Sequence, residues 1–230
     1  MSNPRITQKE LFSLDGKTAI CTGATGGLGS ELCLSLAEAG AHIISIQIPG
    51  DAGGLRLAEL IKSTGRKFQS LECDLKSAPS LRSVFNKLWT QGVEPDILLN
   101  CAGLNIRGPI QDMQDDDIDL IFAINLKATY VAAQEFGRRL LSLQRPGKII
   151  NIASLTSFIG MYNVSAYFKT PLTTNLVQDA EYNDFILKRT PAGRWGEPPD
   201  LRGALVFLAS AASDFVTGTS IVVDGGMLGK

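Results

Sequence analysis

The sequence predicts an α/β protein: a single domain built on a doubly wound parallel sheet. Three observations predict it. Short apolar runs alternate with helical stretches, a glycine-rich turn joins the first run to the first helix, and no linker-like or repeated tract interrupts the 230 residues. The strand candidates cover residues 18–22, 42–47, 68–72, 97–100, 148–153 and 220–223. They are rich in Ile, Leu and Val, as strands covered on both faces should be. Helical candidates cover 28–39, 54–64, 80–90, 116–143 and 199–209. Ala78-Pro79-Ser80 starts the third helix with proline in its first turn, where the missing N–H costs nothing. Gly40, Gly65 and Gly92 follow their helices where a left-handed residue is wanted. This alternation implies right-handed crossovers and parallel pairing.

Composition narrows the class. Hydrophobic residues make up 44% and charged residues 20%, with a net charge of −1. That balance is ordinary for a globular protein, and it offers no electrostatic footprint for a nucleic acid or a membrane surface. Residues 1–10 lack the apolar core of a signal peptide, and no apolar run approaches the roughly 18 residues of a membrane span. A cytoplasmic location is the expectation. Cys21, Cys33, Cys73 and Cys101 are widely spaced and read as buried, reduced thiols. His42 is the sole histidine, so counting excludes a His-based triad or a multi-His metal site, and no metal is expected.

The first strand runs into Thr22-Gly-Ala-Thr-Gly-Gly-Leu-Gly29, with Gly23, Gly27 and Gly29 spaced G-x-x-x-G-x-G. Glycine here permits a tight turn and a close approach of backbone to a pyrophosphate. The helix that follows supplies free N–H groups and a partial positive charge. Between the first strand and first helix of such a series, this is a Rossmann-type dinucleotide site. Residues 1–14 then read as an N-terminal extension and 15–230 as the dinucleotide-binding domain. An acidic residue ending the second strand would bind the adenosine ribose; this chain has Gln47 there, with no Arg or Lys beside it to receive a 2′-phosphate. NAD is therefore expected in preference to NADP.

The turn is similar to the T-G-x-x-x-G-x-G of the short-chain dehydrogenase/reductase family, with Thr25 and Leu28 among the cofactor contacts. Cys73-Asp74-Leu75 resembles the family's adenine-contacting D-[LV]; Asn100-Cys-Ala102-Gly103 resembles its N-N-A-G. Asn125 matches the family's helix asparagine, Ser154 its catalytic serine, and Tyr167, thirteen residues later, its catalytic tyrosine. Residues 191–198 and 207–214 resemble sugar-acid members of the 2-deoxy-gluconate 3-dehydrogenase and gluconate dehydrogenase type. The resemblance implies an NAD(P)-dependent oxidoreductase interconverting a secondary alcohol and a ketone on a small-molecule sugar acid such as 2-deoxy-gluconate or gluconate. Tyr167 would be the general acid/base, Ser154 would hydrogen-bond the substrate oxygen, and Asn125 would hold a water.

One part of the pattern is absent. A phenol has a pKa of about 10, and lowering it by about 3 units takes about 4 kcal/mol of anion stabilisation. The family supplies much of this from a lysine four residues past the tyrosine. Here that position is Pro171; Lys169, at +2, lies about 200° round a helix from Tyr167. Residues 164–167 resemble the segment before the family's lysine, whereas 167–170 resemble a segment one strand later, with Thr170 at the nicotinamide amide. About 30 residues, a helix and an interior strand, read as missing after Tyr167. The missing helix is where the family usually oligomerises, so the homo-oligomer the family implies is doubtful for this chain. The alternative function is a truncated isoform or pseudoenzyme that binds dinucleotide without turnover. Arg107, Lys169 and Lys188 read as solvated surface charges that could otherwise meet a substrate carboxylate.

Overall fold

A computed structural model describes residues 6–159 and 168–229. Five strands form one parallel sheet in the order β3-β2-β1-β4-β5: β1 Thr18–Thr22, β2 His42–Gln47, β3 Phe68–Glu72, β4 Ile97–Asn100 and β5 Lys148–Asn151. The reversal of order between β1 and β4 makes a crevice at the carboxyl ends of these two strands, where open α/β sheets bind ligands.

Helices cover both faces. On one lie α2 (Gly29–Glu38), α3 (Gly53–Ser63) and α9 (Arg202–Ala209), which bury Leu32, Leu36, Leu57, Ile61 and Leu205 against Ala19, Cys21, Ile43 and Leu99. On the other, α4 (Ala78–Thr90) and α6 (Thr129–Ser142) bury Phe85, Leu88, Val131 and Phe136 against Ile20, Ile44 and Leu98. Each such side chain contributes about 1.5–3 kcal/mol of burial. Gly40, Gly65 and Gly92 take positive φ, as their place after the helices requires. At the amino end, α1 (Gln8–Leu11) buries none of its residues, whereas Leu14 is core and its N–H reaches the Ala39 carbonyl at 2.8 Å.

Four sequence expectations need correction. Residues 220–223, read as a last strand, join no ladder: among the described residues no strand pairs with them. The fifth strand stops at Asn151 rather than 153, where its pairing with β4 ends at Asn100. The helix read as 116–143 is three pieces: α5 (Asp115–Ile121), a π-helical stretch Phe122–Ala128, then α6. Two helices were not foreseen, α7 (Thr174–Gln178) and α8 (Ala180–Arg189). The latter is capped by Asp179, whose side chain accepts the Tyr182 N–H at 3.0 Å, and it packs Ile186 with Trp195 and Met227.

Candidate dinucleotide and substrate site

The turn after β1 is assembled by the strand ends. Thr22 Oγ1 accepts the N–H groups of Cys101 and Ala102 at 3.3 and 3.2 Å, tying the end of β4 to that of β1. Gly23 sits against this junction with φ +63°, and a Cβ there would lie 2.6 Å from Ala102 Cα. A Cβ on Gly29 would collide with the Gly23 carbonyl, and one on Gly27 would come 2.8 Å from Thr170 Cβ and Pro171 Cδ. Three glycines thus leave a cradle that no side chain can enter. Above it, α2 begins with no side-chain cap, and among the described residues the N–H groups of Gly27, Leu28 and Gly29 donate to no protein acceptor. Unsatisfied donors at a helix start, carrying the positive end of its dipole, fit a diphosphate.

One cavity of about 1310 Å³ joins this cradle to most of the residues singled out from the sequence. Gly23, Thr25, Gly27, Leu28, Gly29, Gln47, Asp74, Leu75, Ala102, Gly103, Ser154 and Thr170 all line it. Asn100 does not; it is buried, its Nδ2 donating to Asn151 Oδ1 at 2.9 Å, and it braces β4 against β5. Asn125 lies outside the lining as well. Its Oδ1 accepts the Leu104 N–H and its Nδ2 donates to the Leu104 carbonyl, both at 2.9 Å. The amide thereby clamps the loop after β4 from within the π-helical turn, an irregularity frequent at functional sites. Tyr167 lies outside the described residues.

Ser154 caps the short 3₁₀ turn Leu155–Ser157. Its Oγ accepts from the Thr156 N–H at 3.2 Å and the Thr156 hydroxyl at 2.8 Å, and its own proton meets no acceptor among the described residues. Pro171 opens a 3₁₀ turn rather than a helix; Thr173, fully buried, donates to the Phe168 carbonyl at 2.7 Å and accepts the Thr170 N–H at 2.9 Å. This clip holds Thr170 over Gly27. Lys169 points away to Glu197 at 2.7 Å, Lys188 pairs with Asp184 at 2.6 Å, and Arg107 is exposed. Burial pushes the Cys101 thiol up to about 12, so it is an inert part of the wall.

At the ribose end, Gln47 turns onto α3, its amide filling the space a Cβ on Gly54 would take. Sequence reasoning passed over Asp51. Its Oδ2 accepts the Thr25 hydroxyl at 2.5 Å and its Oδ1 accepts the Gly53 N–H at 2.8 Å, fixing a carboxylate on the cavity rim. The signal was present: an aspartate two residues before a glycine pair commonly bonds the backbone two residues on, an Asx turn.

The short chain dehydrogenase family model matches residues 17–170, and a second model, described as enoyl-(acyl carrier protein) reductase, matches residues 164–228. The chain belongs to the short-chain dehydrogenase family. It is 34% identical to the 2-dehydro-3-deoxy-D-gluconate 5-dehydrogenase of Pseudoalteromonas atlantica, with 96% of this chain and 99% of that protein covered. Identity to the Escherichia coli protein of the same name is 35%, covering 95% and 98%. Among solved structures, a gluconate 5-dehydrogenase from Burkholderia cenocepacia in complex with NADP and tartrate superposes with a TM-score of 0.91 at 32% identity, covering 97% of this chain and all of that one. These short-chain dehydrogenases share the single-domain parallel-sheet fold. The alignment to the Pseudoalteromonas protein spans 253 positions, of which 96% of 230 residues supplies about 221, so about 32 positions hold a residue of the relative alone.

Proposed function

We propose that this chain carries the site of an NAD-dependent oxidoreductase that interconverts a secondary alcohol and a ketone on a sugar acid of the gluconate or 2-dehydro-3-deoxygluconate kind. The observation that carries the reading is the glycine cradle beneath the unsatisfied N–H groups of Gly27, Leu28 and Gly29. Those three donors would hold the diphosphate, and Thr170, clipped over Gly27, would lie toward the nicotinamide end. The chemistry a bound nicotinamide would supply is hydride transfer at the substrate carbon. Ser154 hydrogen-bonds the substrate oxygen through its hydroxyl, Tyr167 moves the proton at that oxygen, and Asn125 keeps the loop after β4 in place.

NAD is preferred to NADP because Asp51 holds a carboxylate at the ribose rim and, among the described residues, the cations in the cavity lining are Lys76 and Lys148 with no arginine. A 2′-phosphate there would face a fixed negative charge, although the Burkholderia relative carries NADP. A second reading, a truncated form that binds dinucleotide without turnover, is favoured by Pro171 at the position of the family's lysine. Fluorescence titration with NADH and NADPH, followed by assays on gluconate-type substrates, tests both. Tighter NADH binding with measurable turnover supports the first reading, and tighter NADH binding without turnover the second. Equal affinities would remove the argument from Asp51, and no binding of either cofactor would refute both.

A further inference from the structure

At the adenosine end, Ile48 and Asp51 bring a four-residue turn to the cavity wall. Pro49 at its second position and Gly50 at its third, with φ +74°, suit a type II turn. The Asp51 N–H closes it on the Ile48 carbonyl at 3.2 Å. Residues 48–50 are all exposed, so burial does little to hold them. The end of the turn is anchored: Asp51 accepts the Thr25 hydroxyl at 2.5 Å and the Gly53 N–H at 2.8 Å. Its middle has one tether, the Gly50 N–H donating to Glu72 Oε1 at 3.1 Å. Among the described residues no other hydrogen bond joins residues 48–50 to the chain outside the turn.

Glu72 ends β3 as the register partner of Gln47 at the end of β2. Register partners send their side chains to the same face of a sheet. Gln47 turns onto α3, so Glu72 leaves the sheet on the side where the turn runs into that helix. The contacts then run in series, Glu72 to Gly50 and Asp51 to Thr25, and tie the end of β3 through the turn to the glycine cradle after β1. Asp51 lines the cavity and Glu72 does not. We propose that Glu72 is a positioning residue for cofactor selectivity, a role that rests on Asp51 being the rim charge proposed above to disfavour NADPH. By holding Gly50 it fixes the turn, and the turn fixes how far the Asp51 carboxylate stands into the space of the ribose 2′ position. Glu72 acts through its acceptor oxygen rather than through its charge, and Asp51 is the group that meets the cofactor.

The test titrates the whole chain with NADH and with NADPH in wild type, Glu72→Ala, Glu72→Gln, Asp51→Asn and the double variant Glu72→Ala/Asp51→Asn. Glu72→Ala removes the acceptor, whereas Glu72→Gln keeps an oxygen for the Gly50 N–H and removes the charge. One hydrogen bond shifts an equilibrium by about two- to twelvefold, so Glu72→Ala should raise the NADPH-to-NADH affinity ratio about threefold. Glu72→Gln should keep the wild-type ratio. In the Asp51→Asn background Glu72→Ala should add nothing, because the turn then has no charge to place. Hydrogen exchange of the cofactor-free protein should quicken at residues 48–51 in Glu72→Ala but not in Glu72→Gln, with β1 and β4 unchanged in both. An unchanged ratio or unchanged exchange in Glu72→Ala, an equal shift in Glu72→Gln, or the same shift with and without Asp51 overturns the proposal. The two readings fail differently. Wild type that prefers NADH beside a Glu72→Ala variant of wild-type ratio sinks the positioning role alone. Wild type that binds neither nucleotide sinks the functional reading and the positioning role with it, and equal binding of both sinks the Asp51 argument and this role.

Discussion

Gly23→Ala isolates the close approach on which the cradle depends. Two costs arise there. Alanine at φ +63° meets the left-handed penalty of about 1–2 kcal/mol. Its Cβ would also lie 2.6 Å from Ala102 Cα and 2.7 Å from Ala102 N. Those atoms cannot withdraw freely, because the two hydrogen bonds to Thr22 Oγ1 hold them. Relief of such overpacking costs about 1–3 kcal/mol. The sum, about 2–5 kcal/mol, is a large part of a domain's margin of about 5–15 kcal/mol. Gly65→Ala is the matched control: φ is +78°, but nothing lies within 4 Å of the added Cβ, so it meets only the backbone term. Thermal unfolding of the pair should differ by about 1–3 kcal/mol, or about 2–12 °C in Tm for a chain of this size. Gly65→Ala should keep its NADH affinity and Gly23→Ala should lose it. Equal melting of the two variants, with NADH affinity intact in both, would refute the reasoning.

Other expectations follow from single contacts. Asp51→Asn keeps an oxygen to accept the Gly53 N–H but removes the rim charge, so the NADPH-to-NADH affinity ratio should rise about tenfold, equivalent to about 1.4 kcal/mol; a ratio unchanged in parallel titrations would count against the charge argument. Arg194 grips Asp200 with two bonds, 2.6 and 2.9 Å, and holds its carboxyl at about 2, below the ordinary 3.8. A depressed folded-state value means that this stabilisation is complete above about pH 4 and is lost as pH falls towards 2. Asp200→Asn should therefore flatten the drop in Tm over that window, and a drop as steep as wild type would contradict it. Cys101, pushed up to about 12 by burial, should react with iodoacetamide at pH 8 only on unfolding; fast labelling of native protein would show the wall to be open.

The parts of the fold written in local pattern were legible. Ile20, Ile44 and Leu98 sit in apolar runs that demand two covered faces, and the G-x-x-x-G-x-G spacing needs only the chain's own neighbours to make its turn. Features that depend on a distant partner were not. Residues 220–223 are as apolar as a strand should be, yet a strand exists only beside another, and nothing in the run itself says that no strand among the described residues pairs with it. The π-helical turn at Phe122–Ala128 is fixed by the Asn125–Leu104 clamp, a contact across 21 residues. The helix Ala180–Arg189 is mostly polar and buries only Ile186, so its face emerges only once Trp195 and Met227 are folded against it. Within the site, Gln47 was chosen for its place in the strand, whereas the neighbouring Asp51 carries the fixed charge through its bond to Thr25.

The most direct check is a calorimetric titration of the purified chain with NADH. Binding of one molecule per chain, abolished in Gly23→Ala and preserved in Gly65→Ala, is the predicted result. Absence of any saturable heat from a folded wild-type sample would mean that the free N–H groups above the glycine turn do not receive a diphosphate, and the functional reading would fall with it.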